Sequence, residues 1–160
     1  MDHADHVALI RGGVDGAGPR WLELGAGEGA FTLALADVLG ADGEVVALDR
    51  DRRGLEAARE RVAAAFPATA LRVEVGDFTH ALPPGPFGGV LAANSLHFVR
   101  DRQAVLAAIR LVLAPGGRLV VEIGHNRKAL EKAFPHLPFR WPKVAAGSGF
   151  VFVLQRESLP

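Results

Sequence analysis

The sequence contains no cysteine among its 160 residues. This absence excludes disulfide bonds, thiolate zinc sites, iron–sulfur clusters and a cysteine nucleophile. Long hydrophobic runs are also missing, because no stretch approaches the ~18 consecutive apolar residues of a membrane-spanning helix. The N-terminus, residues 1–6, lacks the basic and then hydrophobic order of a signal peptide. We therefore expect a soluble, cytoplasmic protein without a membrane anchor. The six histidines show no metal-ligand spacing, so no metal is expected.

Net charge is zero, but the charged residues are unevenly distributed along the chain. Residues 1–80 carry fourteen Asp and Glu against eight Lys and Arg, whereas residues 81–160 carry four against ten. Such a split is typical of a basic surface for an anionic partner, although a solvated helix face gives the same pattern. The chain length allows a single domain with one core.

Strands and helices alternate between residues 20 and 135. Helical spacing of apolar residues predicts helices near 31–39, 53–66 and 101–113, with a short helix at 126–134. The intervening apolar runs predict strands at 20–24, 44–49, 70–75, 88–93 and 118–123. Alternating units with right-handed crossovers predict a doubly wound, Rossmann-like α/β fold, which binds ligands at the carboxyl ends of its parallel strands.

Residues 136–160 have a different pattern. Two further strands, 139–144 and 150–154, are separated by a glycine-rich turn at 147–149, which predicts an antiparallel hairpin. Pro138 and Pro142 confine the first of these strands to an edge, where it could pair with a second copy of the chain. We therefore predict a mostly parallel seven-stranded sheet of order 3-2-1-4-5-7-6. Residues 1–160 form one domain, in which 1–19 cover part of the site, 20–135 bind the cofactor and 136–160 form the hairpin.

A glycine-rich turn follows the first strand and opens the first helix of this pattern. Gly25, Gly27 and Gly29 allow a tight turn and a close approach of ligand to backbone N–H groups. Asp49 ends the second strand twenty residues after Gly29, where a carboxylate can accept hydrogen bonds from both ribose hydroxyls of a nucleoside. A nicotinamide dinucleotide is the competing ligand, because these glycines and Ala30 also fit its fingerprint.

Two acidic residues distinguish S-adenosylmethionine from a nicotinamide dinucleotide as the ligand. Glu23 precedes the turn, where its charge would repel a pyrophosphate and attract a cationic amino-acid head group. Asp77 and Phe78 end the third strand and offer an acid for an exocyclic amine and a ring for a base. Both features favour S-adenosylmethionine over NAD(P), and hence a methyltransferase over an oxidoreductase.

Five motifs in this order resemble those of the class I S-adenosylmethionine-dependent methyltransferases over nearly the whole chain: LELGAGEGAF, VVALDRD, VGDF, GGVLAANSLHFV and LAPGGRLVVEI. The resemblance implies S-adenosylmethionine as methyl donor, with S-adenosylhomocysteine as product. It also implies a set of cofactor-binding residues: Glu23, Gly25, Ala26, Gly27, Gly29, Asp49, Arg50, Asp77, Phe78 and Asn94.

Methyl transfer needs a base only if the acceptor must lose a proton. His97, just beyond the fourth strand, is the best-placed candidate, and His125 after the fifth strand is the second. A histidine in such a loop can equally be a polar packing residue.

The acceptor stays open between RNA and a small molecule. The basic second half supplies candidate acceptor-binding residues, namely Arg100, Arg127, Lys128, Arg140 and Trp141. Against RNA, the fourth strand ends in residues 94–97, Asn-Ser-Leu-His, without the Asn/Asp-Pro-Pro-aromatic motif of amino-methylating nucleic-acid enzymes. A non-catalytic cofactor-binding subunit that supports a partner is the third alternative.

Overall fold

The computed structural model describes residues 1–145 and 147–160. Five α-helices fall within these ranges: α1 (His3–Val14), α2 (Ala30–Leu39), α3 (Arg52–Ala65), α4 (Arg102–Val112) and α5 (Arg127–Ala133). The described strands are β1 (Arg20–Leu24), β2 (Glu44–Asp49), β3 (Ala70–Val75), β4 (Phe87–Ala93), β5 (Leu113–Glu122), β6 (Lys143–Val144), β7 (Gly147–Ser148) and β8 (Val151–Gln155). Short 3₁₀ helices lie at Gly40–Asp42, Leu96–Phe98 and Arg156–Ser158.

Six strands form one sheet in the order β3-β2-β1-β4-β5-β8. Strands β1 to β5 run parallel, and β8 is antiparallel to β5, with Val120 opposite Val153. The Rossmann-like α/β fold and its mostly parallel sheet are therefore confirmed, and the predicted positions of the parallel strands in the order are correct. β8 lies beside β5, as the apolar run 150–154 predicted.

Apolar cores cover both faces of the sheet, which explains the continuous hydrophobic runs of its central strands. On one face, Leu22 of β1 and Val90 of β4 belong to a core that includes Ile109 of α4. On the other face, the fully buried Trp21 packs in a core with Leu35 of α2 and residues of α1. Burial of both faces leaves the two ends of the strands as the places where polar side chains can gather.

The prediction of a seventh strand in this sheet is wrong. Of the predicted strand 139–144, only Arg140 pairs with β8, through N–H to C=O hydrogen bonds of 3.1 and 2.8 Å with Val153. Pro138 and Pro142 lack N–H donors on either side of Arg140, so the pairing cannot extend. Lys143–Val144 instead pairs with Gly147–Ser148, so β7 occupies part of the predicted turn at 147–149. Ala146 between them lies outside the described residues.

Strand β5 begins earlier than the sequence indicated. Leu113 already pairs with Phe87, and after a register shift Gly89 pairs with Arg118. The Pro115-Gly116-Gly117 segment is part of the extra length that this bulge accommodates, with Gly116 in the left-handed region at φ 73°. The helix before it ends at Val112, and its N-cap Asp101 accepts from Ala104 N–H at 3.0 Å.

The N-terminal segment forms α1, which contacts α2, β5 and β8. Gly13 lies so close to β5 that an added Cβ would stand 2.9 Å from the Val120 side chain. At the start of the helix, His3 Nε2 lies 2.8 Å from the Asp37 carboxylate of α2. Whether residues 1–19 also cover the site remains a prediction. Within the described ranges, no helix has both the length and the apolar character needed to cross a bilayer.

Candidate active site

A cleft of about 360 Å³ opens where β1, β2, β3 and β4 end. This is the edge at which doubly wound sheets bind their ligands. Six of the ten predicted cofactor residues line the cleft: Gly25, Asp49, Arg50, Asp77, Phe78 and Asn94. The other four, Glu23, Ala26, Gly27 and Gly29, belong to the end of β1 and to the turn that leads into α2.

The three glycines of the turn all have left-handed backbone, with φ of 74° at Gly25, 54° at Gly27 and 91° at Gly29. An added Cβ at Gly29 would lie 2.4 Å from Ala58 Cβ, because α2 begins against α3. At Gly27 an added Cβ would meet nothing within 4 Å, so this position faces open space. The third glycine is therefore required by helix packing, and the second leaves the backbone accessible.

Hydrogen bonds tie the turn to the end of β2. The N–H groups of Gly25 and Ala26 both donate to the Leu48 carbonyl, at 2.9 and 3.2 Å. Gly27 N–H donates to Asp49 Oδ2 at 2.8 Å, and Asp51 N–H donates to Asp49 Oδ1 at 2.8 Å. Each carboxylate oxygen has a second lone pair, so Asp49 can still accept from ribose hydroxyls while it holds the turn.

Asp77 is fixed by its own turn. Its Oδ1 accepts from both the N–H and the hydroxyl of Thr79, at 2.8 and 2.6 Å, and these hydrogen bonds hold the pKa of Asp77 below its usual value. Arg50 Nη1 lies 4.0 Å from Asp77 Oδ2, and the Arg50 side chain is mostly exposed. The Phe78 ring reaches the first glycine of the turn, 3.9 Å from a Cβ built on Gly25. An ionised carboxylate and an aromatic ring therefore lie together on one wall of the cleft.

Glu23 is almost completely buried behind the turn, and the Thr32 hydroxyl of α2 donates a short hydrogen bond to its Oε2. Burial raises the pKa of Glu23 to about 8, and the negative charge of Asp49 adds to the increase. A carboxylic acid with this pKa is mostly protonated at neutral pH. A cationic group placed beside it would favour its ionised form, because opposite charges attract strongly at low dielectric.

Strand β4 ends in two polar residues. Asn94 has φ 52°, the left-handed conformation that asparagine tolerates best among non-glycine residues, and its N–H donates to the Glu122 carbonyl at 3.2 Å. Ser95 donates its hydroxyl to the Leu24 carbonyl at 2.9 Å and packs against Gly25. Ser95 thus joins the ends of β4 and β1 at the floor of the cleft.

Sequence reasoning did not single out several of the cleft residues. Thr79 follows Asp77 by two positions, the spacing of an Asx turn, and this signal was available in the sequence. Ser95 gave only the general signal of a polar residue after a buried strand. Phe98, at the end of the 3₁₀ helix, and Val99, just after it, also line the cleft, and no local pattern indicates their position.

A second concavity, which we call the apolar groove, adjoins the cleft. It has a volume of about 460 Å³ and lies between α4 and α5 over β5 and β8. Its walls are mainly aliphatic and aromatic, including Val105, Leu106, Val121, Leu130, Phe134 and Phe152. The 3₁₀ helix Leu96–Phe98 separates the two spaces, because Leu96 and His97 line the groove while Phe98 lines the cleft.

The two candidate bases have different surroundings. His97 is exposed, lines the apolar groove and lies against Phe98 with the ring centroids 4.0 Å apart. Arg102 donates to the His97 carbonyl at 3.2 Å and so fixes the backbone of this turn. His125 lies edge-on to Phe150 at 4.9 Å, which is a packing contact. The geometry therefore brings His97, rather than His125, to the boundary between cleft and groove.

Glu122 at the end of β5 is a buried acid that the sequence reasoning passed over. Its Oε1 accepts from Gly124 N–H at 2.7 Å, while within the described part of the chain its buried Oε2 has no hydrogen-bond partner. Burial raises the pKa of Glu122, and the nearby charge of His97 acts in the opposite direction. In the sequence, Glu122 is only a single acidic residue at the end of a predicted buried strand, and this pattern alone does not indicate a functional role.

None of the predicted acceptor-binding residues lines the cleft. Trp141 packs on Phe152, with ring centroids 5.7 Å apart, and the Arg127 guanidinium lies 4.7 Å from the centre of the Trp141 ring. Arg127 also forms an ion pair with Glu131 at 3.0 Å. Three of the predicted residues are exposed: Arg100 before α4, Lys128 in α5 and Arg140 beside β8.

The residues of the cleft are chemically complementary to S-adenosylmethionine. This cofactor carries an amino acid with ammonium and sulfonium cations, a ribose and an adenine. The buried acid Glu23, the carboxylate of Asp49 and the pair Asp77–Phe78 offer complementary groups along the strand ends. Among residues 1–145 and 147–160, no group of three or more His, Asp or Glu side chains is arranged to hold a metal ion.

The fold and the cleft together define a class I S-adenosylmethionine-dependent methyltransferase. A family model described as a methyltransferase domain matches residues 15–147, and the chain belongs to this family. Its cofactor is S-adenosylmethionine.

Similar proteins agree with this assignment. The chain is 55% identical over 58 residues to a ribosomal protein uL3 glutamine methyltransferase from Neisseria gonorrhoeae, a match that covers 36% of this chain and 19% of the relative. It is 29% identical over 148 residues to a demethylmenaquinone methyltransferase from Shouchella clausii, covering 88% of this chain and 60% of the relative. The chain thus spans less than two thirds of the length of either relative. A methyltransferase structure from Aquifex aeolicus superposes with a TM-score of 0.71 at 14% identity, covering 97% of both chains.

Proposed function

We propose that this chain catalyses methyl transfer from S-adenosylmethionine to a small-molecule acceptor. The observation that carries the proposal is that the polar cofactor cleft and the apolar groove lie on the two sides of one short turn, Leu96–Phe98. A ligand in the cleft and a second molecule in the groove would approach each other at this turn. Transfer between two bound molecules needs this proximity more than it needs acid–base groups.

When bound, S-adenosylmethionine would supply a sulfonium methyl group: the acceptor's lone pair would form a bond to the methyl carbon as the carbon–sulfur bond breaks, and that electron pair would stay on sulfur in S-adenosylhomocysteine. In this scheme the glycine turn and Glu23 hold the amino-acid part, Asp49 holds the ribose, and Asp77 with Phe78 frames the adenine. Asn94, at the end of β4, would lie beside the methionine part of the cofactor and the acceptor.

We assign His97 as the base that removes a proton from the acceptor. An imidazole ring can accept a proton near neutral pH, which suits it to this step. The acceptor hydroxyl, amine or thiol would give its proton to a neutral ring nitrogen of His97 as its lone pair attacks. His97 is supported by its position at the mouth of the groove, which His125 does not share.

The distribution of arginines favours a small molecule over RNA. Arg118 donates to the carbonyls of Gly13 and Asp15 at 3.1 and 2.7 Å. In the same way Arg110 donates to the Leu159 carbonyl at 3.0 Å and Arg156 donates to that of Arg110 at 3.1 Å. These three of the ten basic residues of 81–160 are therefore engaged in joining segments of the fold, and such arginines contribute less to a phosphate-binding surface.

The relatives support different acceptors. The Shouchella clausii relative is named for demethylmenaquinone, a small-molecule acceptor, and resembles this chain over 88% of its length. The Neisseria gonorrhoeae relative is named for a glutamine of a ribosomal protein, but it matches over only 36% of this chain. The more extensive match favours a small molecule.

The test uses the purified chain with S-adenosylmethionine labelled in its methyl group. Parallel incubations contain a metabolite extract, total RNA or ribosomal protein, each with and without the chain. We expect label in a low-molecular-weight product of the metabolite extract. Label in RNA or protein would contradict the proposed acceptor class. Tight binding of S-adenosylhomocysteine without transfer to any fraction would instead support a cofactor-binding subunit.

A further inference from the structure

The apolar groove is a large concavity that the fold does not fill. Its volume of about 460 Å³ lies within the range of about 300–1,000 Å³ that is usual for small-ligand sites. Apolar side chains from four elements, α4, α5, β5 and β8, form its walls. Binding of an apolar molecule against these walls would be favourable because it removes apolar surface from water.

Polar groups gather at only part of the groove. His97, Arg102 and Asn126 are the polar side chains that line it. His97 and Asn126 follow the ends of β4 and β5, whereas Leu154 lies deeper along β8 on the sheet face. The groove therefore has one end with hydrogen-bonding groups beside the cofactor cleft and one apolar end between the helices.

We propose that the apolar groove binds the acceptor, and that this acceptor has an apolar body with one nucleophilic group at its end. The inference rests on the proposed function and adds the chemical class of the substrate. The body would lie between α4 and α5 against Val121 and Phe152, which leaves the nucleophile at His97. The groove and the cofactor cleft lie on opposite sides of the Leu96–Phe98 turn, with His97 lining the groove and Phe98 lining the cleft, and this proximity favours a substrate over another protein segment.

A series of para-alkylphenols tests this directly. Phenol, 4-ethylphenol, 4-butylphenol and 4-hexylphenol share one hydroxyl and differ only in apolar length. Titration calorimetry with the whole chain, in saturating S-adenosylhomocysteine, measures each affinity. We expect affinity to rise by up to about fourfold per methylene, the factor that follows from burying one CH₂ group. An affinity independent of alkyl length would overturn the proposal.

The substitution Ala129→Phe tests whether the groove is where they bind. Ala129 lines the groove from α5 and is exposed, so a larger side chain enters the empty space without displacing the core. Ala64→Phe, at an exposed position of α3, is the matched control. We expect Ala129→Phe to weaken 4-hexylphenol binding at least tenfold, and Ala64→Phe to leave it unchanged. Equal binding by both variants would show that the phenols bind elsewhere.

Two further readouts separate the possible failures. Binding of S-adenosylhomocysteine alone tests the proposed function, and we expect Ala129→Phe to retain it. If that ligand binds to none of the proteins, the proposed function fails, while the phenol series still reports on the groove. Light scattering tests whether a second copy of the chain occupies the groove instead. If the original chain is a dimer that binds no phenol, and Ala129→Phe dissociates this dimer, the groove belongs to the second copy and the proposal is overturned.

Discussion

The backbone N–H of Gly27 donates to the carboxylate of Asp49 at 2.8 Å, so the second glycine of the turn is held by the acid at the end of the neighbouring strand. This acid also accepts from Asp51 N–H through its other oxygen. The residue expected to bind the ribose is therefore also the residue that sets the shape of the turn. Loss of its carboxylate should therefore weaken the binding of both the ribose and the amino-acid part of the cofactor.

Replacing Asp49 with Ala should weaken S-adenosylhomocysteine binding by roughly 10- to 100-fold, the range expected when hydrogen bonds to a charged group are lost. Titration calorimetry measures this change. Asp51→Ala is the control, because Asp51 caps α3 by accepting from Arg53 N–H at 3.0 Å and does not line the cleft. The control should cost about 1 kcal/mol of stability and leave affinity within about twofold. Unchanged affinity in Asp49→Ala would refute the assignment of the ribose site.

Glu23 should make the fold less stable as pH rises. Its pKa is raised from 4.5 to about 8 in the folded protein, so the folded state keeps a proton that the unfolded state loses. The corresponding stability is fully present below pH 4.5 and is lost progressively up to about pH 8, to a total of up to about 5 kcal/mol. Thermal unfolding between pH 5 and 8 should show this decrease. Glu23→Gln, which keeps an acceptor for Thr32, should flatten it, and an equally steep decrease in the variant would assign the effect to other groups.

Much of the site could be predicted from the sequence because its residues occupy fixed places in a repeated unit. A glycine turn after β1, an acid ending β2 and an acid–aromatic pair ending β3 follow from where parallel strands finish. The groove could not be predicted, because it depends on how far α5 stands from α4, and the helical spacing of apolar residues does not record that distance. The prediction of an edge strand at 139–144 was wrong for a related reason. The apolar residues Phe139 and Trp141 pack as side chains on Phe152, whereas a strand pattern assumes backbone pairing.

His97 and His125 should respond differently to substitution. If His97 is the base, His97→Ala should lower kcat by about 10²–10⁴-fold for an acceptor that loses a proton, with little change in cofactor affinity. His125→Ala removes only a ring that packs on Phe150, so its kcat should stay within about twofold. Initial rates from pH 6 to 9 test the role further, because the acidic limb of the original profile should disappear in His97→Ala. A variant that keeps this limb would show that another group accepts the proton.

The glycines at 27 and 29 should tolerate alanine to different degrees, although both have left-handed backbone. At Gly27 an added Cβ meets nothing within 4 Å, so Gly27→Ala should cost about 1–2 kcal/mol, the strain of the left-handed conformation alone. At Gly29 the same atom lies 2.4 Å from Ala58 Cβ, and the overpacking should add about 1–3 kcal/mol. Urea unfolding of the two variants measures this difference. S-adenosylhomocysteine titration of whichever variants fold then tests the turn itself: Gly27→Ala should bind weakly because its methyl group occupies the space open to ligand. Full affinity in Gly27→Ala would show that the cofactor approaches the turn from another side.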